Sequence, residues 1–262
     1  MVPPIDVALY ERNGEPLTAQ CIPLAFEMVG GISSGTHVLD VACGPGGLSV
    51  AAAGLGARVV ATDFAAPMVE RAGQRLAPFP GCSATVMDAQ ALDFDDDTFD
   101  VAFSMFGVIN LPDWRAGLRE LTRVTRVGGR GCISSWEDPR TVAAVAVLVD
   151  AMAEVFPDRE PIPVPEGVML AAKPDVLQEC MTVAGFRDVT VAPVQIVWDG
   201  PAVSQFLDEL DETFGFMPPY LALTAEEREL LTPALLAAAQ RRAGTDGRLR
   251  IDATAHLAAG TV

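Results

Sequence analysis

The chain has 262 residues, of which half are hydrophobic, and its 35 acidic and 18 basic side chains give a net charge of -17 at pH 7. This composition excludes disordered and fibrous classes, and the length fits one α/β domain with an insertion. Nucleic acids and anionic membranes bind proteins mainly through cations, so neither is an expected partner.

Cysteine usage and the N-terminal segment indicate a cytoplasmic protein. The five cysteines are scattered, none forms a C-x-x-C motif, and the chain has two histidines. Neither a disulfide framework nor a zinc site is therefore expected. The N-terminus lacks the pattern of a signal peptide, and no apolar stretch is long enough to cross a bilayer.

The first half of the chain alternates between strand and helix patterns. Residues 1–36 are expected to form one or two helices. Short apolar runs then predict strands, and 3.6-residue periodicity between them predicts helices. The predicted strands are 37–42, 58–62, 84–87, 100–104 and 131–136, and the predicted helices are 48–55, 66–76 and 114–126. This alternation predicts a Rossmann-like, mostly parallel sheet with helices on both faces.

The second half is predicted to complete a seven-stranded sheet. Four prolines in 157–167 predict a stiff loop that is neither helix nor inner strand. The other predicted elements are helices at 142–156 and 174–184, a strand at 186–198, a mostly helical region at 200–245 broken at 215–219, and a last strand at 251–259. The helical region is thus expected as an insertion between strands six and seven.

A glycine-rich turn follows the first strand in the sequence VLDVACGPGG, residues 38–47. Such a turn lets the backbone approach a ligand closely, and the helix start behind it offers free N–H groups. The dinucleotide motif G-x-G-x-x-G fails, because Ser49 occupies the third glycine position. The P-loop motif also fails, because no Gly-Lys-Ser/Thr follows.

Three aspartates fall at the ends of three successive predicted strands: Asp40, Asp63 and Asp88. The carboxyl ends of parallel strands meet at one edge of a sheet, which is where open α/β sheets bind ligands. Asp63 suits a ribose diol, Asp88 suits an adenine amine, and Asp40 suits an ammonium group, directly or through water.

Each of these residues also has a simpler interpretation. Gly44 and Gly46 could be ordinary turn glycines, Asp63 a helix N-cap, and Asp88 a surface acid. Their joint spacing favours a cofactor site.

The segment 37–136 resembles the class I S-adenosylmethionine-dependent methyltransferases. VLDVACGPGG resembles their first motif, ATDFAAPMVERA the second, and VMDAQALDFDDDTFDVAFSMFG the third and fourth. FGVINLPDWRAGLRELTRVTRVGGR, with ISSW after it, is similar to the small-molecule branch, which includes ubiquinone/menaquinone-type and natural-product enzymes. Ala42 stands where the family has its first glycine.

The resemblance implies S-adenosylmethionine as cofactor and a set of residues around it. These are Asp40, Ala42, Gly44, Gly46, Asp63, Phe64, Met68, Asp88, Ala89, Ser104 and Met105. Candidates for the acceptor pocket are Tyr10, Phe106, Asn110 and Trp136.

The expected organisation has four parts. It consists of an N-terminal helical lid at 1–36, a cofactor-binding core at 37–199, a helical insertion capping the acceptor site at 200–245, and the last strand of the sheet at 246–262.

The expected reaction is direct methyl transfer from the sulfonium to a small apolar or aromatic metabolite of natural-product type. A homodimer is one expectation for assembly. A general base is needed only for an acceptor that cannot shed its proton, and Glu137, Asp138 and Glu166 remain open as candidates. The methylated atom and the acceptor stay open. His256 is expected to be structural, and no metal is expected at the acid run 93–100, which matches the family's acidic loop.

Two rival functions also fit a Rossmann-like sheet to different degrees. A short-chain oxidoreductase would need a Tyr-x-x-x-Lys pair, but Gly14 follows Tyr10 and Thr224 follows Tyr220 at that spacing. A non-catalytic or pericyclase-like protein could use the cofactor as a structural ligand, and sequence leaves this alternative open.

Overall fold

The computed structural model describes residues 6–160, 164–215 and 217–262. Seven strands form one sheet in the order β3-β2-β1-β4-β5-β7-β6. They are β1 His37–Val41, β2 Arg58–Asp63, β3 Ser83–Val86, β4 Phe99–Met105, β5 Thr125–Trp136, β6 Arg187–Ala202 and β7 Arg248–Thr261. Strands β1 to β5 pair in parallel, and β7 runs antiparallel to β5. The predicted Rossmann-like, mostly parallel sheet is confirmed.

Within the described residues, three helices precede β1 and the others lie in connections between strands. They are α1 Val7–Asn13, α2 Glu15–Thr18, α3 Ile22–Met28, α4 Gly47–Gly54, α5 Ala66–Leu76, α6 Trp114–Val124, α7 Ala143–Val155, α8 Glu166–Leu170, α9 Pro174–Ala184, α10 Val203–Phe206, α11 Leu210–Phe214, α12 Pro218–Leu221 and α13 Ala225–Arg242. No helix in the described ranges is both long enough and apolar enough to span a bilayer.

Several local predictions were wrong. Within residues 6–36 the structure has three α-helices instead of one or two, β6 continues to Ala202 into the region expected to be helical, and α12 begins at Pro218 inside the expected break. The helix expected to reach residue 126 ends at Val124, because Thr125 already pairs with Phe99 as the first residue of β5. A short helix, α8, begins at Glu166 inside the stretch expected to be a loop, where the prolines have ended. Residues 161–163 of that stretch, and Phe216 in the expected helical break, lie outside the described residues.

The chain divides into two compact units. The larger unit comprises Thr18–Glu137, Val164–Val194 and Ala255–Val262, and the smaller one the described residues of Met1–Leu17, Asp138–Pro163 and Gln195–Thr254. Strands β6 and β7 each begin in one unit and end in the other.

The core of the larger unit lies between the sheet and helices α6, α8 and α9. Leu39, Ala102 and Ile133 from the strands are fully buried in it, together with Trp114 and Leu118 of α6. Helix α6 begins after Asp113, whose carboxylate accepts the backbone N–H of Ala116 at 2.8 Å and so supplies one of the missing hydrogen bonds of the first turn. This core fixes the ends of β1, β4 and β5, where the candidate site lies.

The smaller unit has its own core, built mainly from helices. Apolar residues of α7 pack with α13 and with Phe206 and Phe214 of the short helices. Helix α13 begins with a capping box in which Thr224 and Glu227 exchange side-chain to backbone hydrogen bonds.

Candidate functional site

The glycine-rich turn joins the end of β1 to α4 through three residues with positive φ. These are Ala42 at 55°, Gly44 at 55° and Gly46 at 89°. The left-handed region favours glycine, so Ala42 holds a strained conformation. A side chain at Gly46 would lie 3.1 Å from the Cβ of Ala72 on α5, so the turn is also closely packed.

Asp63 is the last residue of β2, and its side chain connects this turn to the sheet by a hydrogen bond. Its Oδ2 accepts the backbone N–H of Gly44 at 2.9 Å, and its Oδ1 accepts the N–H of Ala65 at 2.9 Å. Burial raises the pKa of the carboxyl, and these hydrogen bonds oppose the rise. The backbone N–H of Phe64 also stabilises the charged carboxyl, and a carboxylate has about four acceptor positions, so the group can still accept from a hydroxyl of a diol. The N-cap alternative is wrong, because Ala65 is the N-cap of α5 and no side chain caps that helix.

Asp40 lies deeper, one residue before the end of β1. Its side chain is 2% exposed, and its Oδ2 accepts the hydroxyl of Ser49 on α4 at 2.6 Å. Burial raises the pKa of this carboxyl to about 7, the charge of Asp63 adds to the rise, and the Ser49 hydrogen bonds oppose it. Asp40 therefore ties α4 to β1, and its predicted contact with a ligand ammonium remains a prediction.

The end of β3 presents an accessible acid. Asp88 is exposed, and its Oδ1 accepts the backbone N–H of Gln90 at 2.9 Å, which lowers the pKa of the carboxyl. The following residue, Ala89, is buried. Phe64, directly after Asp63, is 73% exposed, whereas Met68 on α5 is buried. Phe64 and Asp88 can thus be reached by a ligand at this edge, whereas Met68 and Ala89 are buried in the fold, so their predicted contact with the cofactor remains a prediction.

The loop after β4 packs directly on the glycine-rich turn. A Cβ at Gly107 would lie 2.4 Å from the Cβ of Ala42. Ser104 is fully buried, and its hydroxyl accepts the N–H of Val108 at 2.9 Å, so it holds this loop in place. Met105, which directly follows Ser104 in the chain, is half-buried.

Three of the four acceptor-pocket candidates come together at the ends of β4 and β5. The rings of Phe106 and Trp136 stack with centroids 4.2 Å apart and planes 22° apart. The N–H of Phe106 donates to the Ser134 hydroxyl at 2.9 Å, and the Asn110 amide donates to the carbonyl of Phe106 at 2.6 Å. The fourth candidate, Tyr10, lies on α1 in the smaller unit.

The acid run before β4 is engaged within the fold. Asp96 pairs with Arg123 at 2.8 Å, Asp97 accepts the N–H of Val127 at 3.0 Å, and Asp100 accepts the N–H of His37 at 2.8 Å. Across the described part of the chain, no group of three or more His, Cys, Asp or Glu side chains is arranged to hold a metal ion.

Sequence reasoning missed one arrangement at this edge. His256 on β7 pairs across the sheet with Ser135 of β5, and its Nε2 lies 3.8 Å from Oε1 of Glu137. No sequence signal reveals this contact, because it depends on the antiparallel register of β7 against β5.

Comparison with known proteins agrees with this geometry. A family model described as a methyltransferase domain matches residues 38–129, which include the glycine-rich turn and all three strand-end aspartates. The demethylmenaquinone methyltransferase of Clavibacter sepedonicus is 42% identical over 106 residues, covering 40% of this chain and 43% of that protein.

Over residues 38–129, the chain is similar to methyltransferase domains, which supports its resemblance to the class I S-adenosylmethionine-dependent methyltransferases. It spans about half the length of the curated relatives it matches.

Solved structures share the fold of this methyltransferase domain. YcgJ of Bacillus subtilis has a TM-score of 0.56 at 18% identity and covers 92% of this chain and 97% of its own. Phosphoethanolamine N-methyltransferase 2 of Haemonchus contortus, in complex with S-adenosyl-L-methionine, has a TM-score of 0.52 at 17% identity and covers 92% of this chain and 52% of its own.

The residues at the carboxyl edge fit S-adenosylmethionine, the cofactor of this family. The cofactor carries a ribose diol, an adenine amine and a methionine ammonium. Asp63 offers two acceptor oxygens held in place by Gly44 and Ala65, and Asp88 offers an exposed carboxylate. A closely approaching backbone is available at the glycine-rich turn.

Proposed function

We propose that this chain methylates a small aromatic metabolite bearing an ionisable hydroxyl group, such as a hydroquinone, with S-adenosylmethionine as methyl donor. The observation that carries the proposal is the shared edge of the sheet. Asp63 is the last residue of β2, beside the glycine-rich turn, and hydrogen bonds hold both of its carboxylate oxygens in place. The stacked rings of Phe106 and Trp136 lie at the ends of β4 and β5, at the same edge of the sheet.

The chemistry of methyl transfer determines what the cofactor and the protein each contribute. The cofactor supplies a methyl group that is already strongly electrophilic because it is bonded to a positively charged sulfur. The protein must align the acceptor with that methyl and exclude water, and alignment can supply most of the rate enhancement. In this proposal, Asp63, Asp88 and the glycine-rich turn hold the donor.

The aromatic class of the acceptor is inferred from the stacked pair. Aromatic rings favour offset-stacked or edge-to-face contacts with other rings, so Phe106 and Trp136 provide a matching surface for a ring of the acceptor. The similarity to a demethylmenaquinone methyltransferase supports a quinone-type ring. The enzyme is proposed to act in the cytoplasm.

The test is a methyl-transfer assay with S-adenosylmethionine and a panel of small acceptors. The panel contains 1,4-dihydroxynaphthalene, catechol and 2-naphthol, with aliphatic alcohols of similar size as negative controls. We expect an aromatic acceptor to gain the mass of one methylene while S-adenosylhomocysteine accumulates in equal amount. Tight cofactor binding with no methylated product, from this panel or from neighbouring pathway intermediates, would instead favour the structural-ligand alternative.

A further inference from the structure

We infer that Asn110 and Ser134 are positioning residues, which hold the backbone on both sides of Phe106 and so keep its ring against Trp136, where an aromatic acceptor would lie. This inference rests on the proposed function. All four residues belong to the larger unit, and they meet at the ends of β4 and β5. The argument for it begins with the backbone of Phe106.

Phe106 has an unfavourable backbone conformation. It directly follows the last residue of β4 and has a φ of 56°. The left-handed region is costly for a residue with a bulky side chain. In the described ranges, the other non-glycine residues with positive φ are alanines and aspartates. Such strain persists only where the surroundings enforce it, and it is frequent at functional sites.

Two side chains enforce this conformation by hydrogen bonds to the Phe106 backbone. The Ser134 hydroxyl accepts the N–H of Phe106 at 2.9 Å, and Nδ2 of Asn110 donates to its carbonyl oxygen at 2.6 Å. The first bond fixes the peptide unit before the Phe106 Cα, and the second fixes the unit after it. Because φ and ψ are the rotations between these two planar units, the two bonds together determine the direction in which the ring leaves the backbone.

Both partners are themselves held in place. Ser134 is fully buried on β5, where it pairs with Met105 of β4. The backbone N–H of Asn110 donates to the carbonyl oxygen of Gly107 at 2.9 Å, and its Nδ2 lies 3.4 Å from the same oxygen. The side-chain amide must present its nitrogen here, because an oxygen in that place would face two carbonyl oxygens.

Ser134 and the aromatic surface lie on the same face of the sheet. Residues 130–136 of β5 pair regularly with β7, so side chains two positions apart point to one face, as those of Ser134 and Trp136 do. The ring of Phe106, whose N–H is bonded to Ser134, stacks on Trp136 with centroids 4.2 Å apart. Both aromatic residues are half-buried, so part of the stack remains accessible to a ligand.

The same loop contacts the proposed donor site. Gly107 follows Phe106, and a Cβ there would lie 2.4 Å from the Cβ of Ala42 in the glycine-rich turn. The peptide unit that Asn110 bonds therefore lies between the aromatic surface and the turn. A shift of this unit would move an acceptor ring relative to the methyl group. A misplacement of about 1 Å can lower the rate on the order of a hundredfold.

The first test measures methyl transfer by the full chain to 1,4-dihydroxynaphthalene. Asn110→Asp keeps the shape of the side chain but sets an oxygen against the Phe106 carbonyl, and Ser134→Ala removes the acceptor of the Phe106 N–H. We expect each change to lower kcat by about tenfold to a hundredfold. The KM for the acceptor should rise by less than about threefold, because the two rings are retained but misaligned. Cofactor affinity should be unchanged.

Each variant has a matched control. Gln178 on α9 also donates its side-chain amide to a backbone carbonyl, that of Val189 at 2.8 Å, so Gln178→Glu introduces the same repulsion outside the proposed site. Ser135 is as buried as Ser134, but its side chain points to the opposite face of β5, so Ser135→Ala removes a similar hydroxyl. Both controls should keep kcat and KM close to the wild-type values per folded molecule.

A second measurement reads the position of the ring without turnover. The chain has three tryptophans, and fluorine NMR of protein labelled with 5-fluorotryptophan gives each its own resonance. Trp136→Phe assigns the resonance of Trp136. In Asn110→Asp and Ser134→Ala this resonance should shift or broaden, because the Phe106 ring moves away from the indole, while the resonances of Trp114 and Trp198 should stay in place.

The outcomes separate the inference from the proposed function. A wild-type kcat in Asn110→Asp, a rise in KM without a fall in kcat, or an unchanged Trp136 resonance would overturn the positioning role while leaving methyl transfer standing. A wild-type protein that methylates no acceptor of the panel would overturn the proposed function, and the positioning role with it. Because Asn110 is exposed, its variant remains informative even if Ser134→Ala fails to fold.

Discussion

Replacing Gly107 by alanine tests the close contact between the β4 loop and the glycine-rich turn. The backbone of Gly107 has φ of -93°, which alanine adopts readily, so any effect comes from the added methyl group. That methyl would lie 2.4 Å from Cβ of Ala42, 3.0 Å from Oγ of Ser104 and 3.3 Å from the Ala42 carbonyl oxygen. Carbon atoms in contact need about 3.5–4.0 Å, so one backbone must move. Overpacking of this kind costs about 1–3 kcal/mol.

The matched variant is Ala42→Gly, which removes the other methyl group of the clash. It also relieves a φ of 55°, which costs a non-glycine residue about 1–2 kcal/mol. The greater freedom of glycine in the unfolded chain offsets about 0.4–1 kcal/mol of that gain. We therefore expect Ala42→Gly alone to change the free energy of unfolding by about 1 kcal/mol or less.

The double variant decides whether the contact is the cause. With both changes present, the shortest contact is gone, and the free energy of unfolding should recover by about 1–2 kcal/mol over the sum of the single effects. Equilibrium urea denaturation of all four proteins measures this coupling. Cofactor affinity, measured by calorimetry, should fall in Gly107→Ala and return in the double variant. A coupling below about 0.5 kcal/mol, which is ordinary additivity, would refute the reasoning.

Two further predictions concern Asp40 and Trp136. Burial raises the pKa of Asp40 from its ordinary value of 3.8 to about 7, so the stability that the protonated side chain contributes is fully present below about pH 4 and is lost as pH rises through 7. Urea denaturation across this window should show a decline of about 4 kcal/mol that Asp40→Asn lacks, and parallel curves would contradict it. Trp136→Ala should reduce turnover on the order of a hundredfold while cofactor affinity is retained. Trp136→Phe, which keeps a ring against Phe106, should lose far less turnover. If the Trp136→Ala protein instead melts at a lower temperature but keeps its activity per folded molecule, the role of Trp136 is packing.

The strand ends that form the cofactor edge could be predicted from sequence because two local signals coincide. Short runs rich in apolar residues predict the parallel strands, and an aspartate lies at or just after the ends of two of them: Asp63 is the last residue of β2, and Asp88 follows the end of β3 by two residues. The tight turn after β1 could also be predicted from its glycines, because glycine is the residue that adopts positive φ most readily. These features depend on residues close together in the chain.

Other features could not be predicted from sequence, because they depend on strand register and on packing between segments that are distant in the chain. The contact of Glu137 with His256 requires Ser135 of β5 to face His256 of antiparallel β7. The fit of Gly107 against Ala42 requires the β4 loop to fold onto the turn after β1. Helix α8 escaped prediction because the proline-rich stretch before it obscures its start at Glu166.

Calorimetric titration of S-adenosylmethionine into the wild type and Asp63→Asn tests the central claim most directly. The variant keeps the shape of the side chain but replaces one acceptor oxygen with an amide donor, which opposes both the fixed N–H groups and the ribose hydroxyls. Asp93→Asn, an exposed acid outside the proposed site, is the matched control. The account predicts that binding weakens by about 1.5–3 kcal/mol in Asp63→Asn alone, with an unchanged far-UV spectrum. Equal affinity in all three proteins would remove Asp63 from the cofactor site and contradict the account.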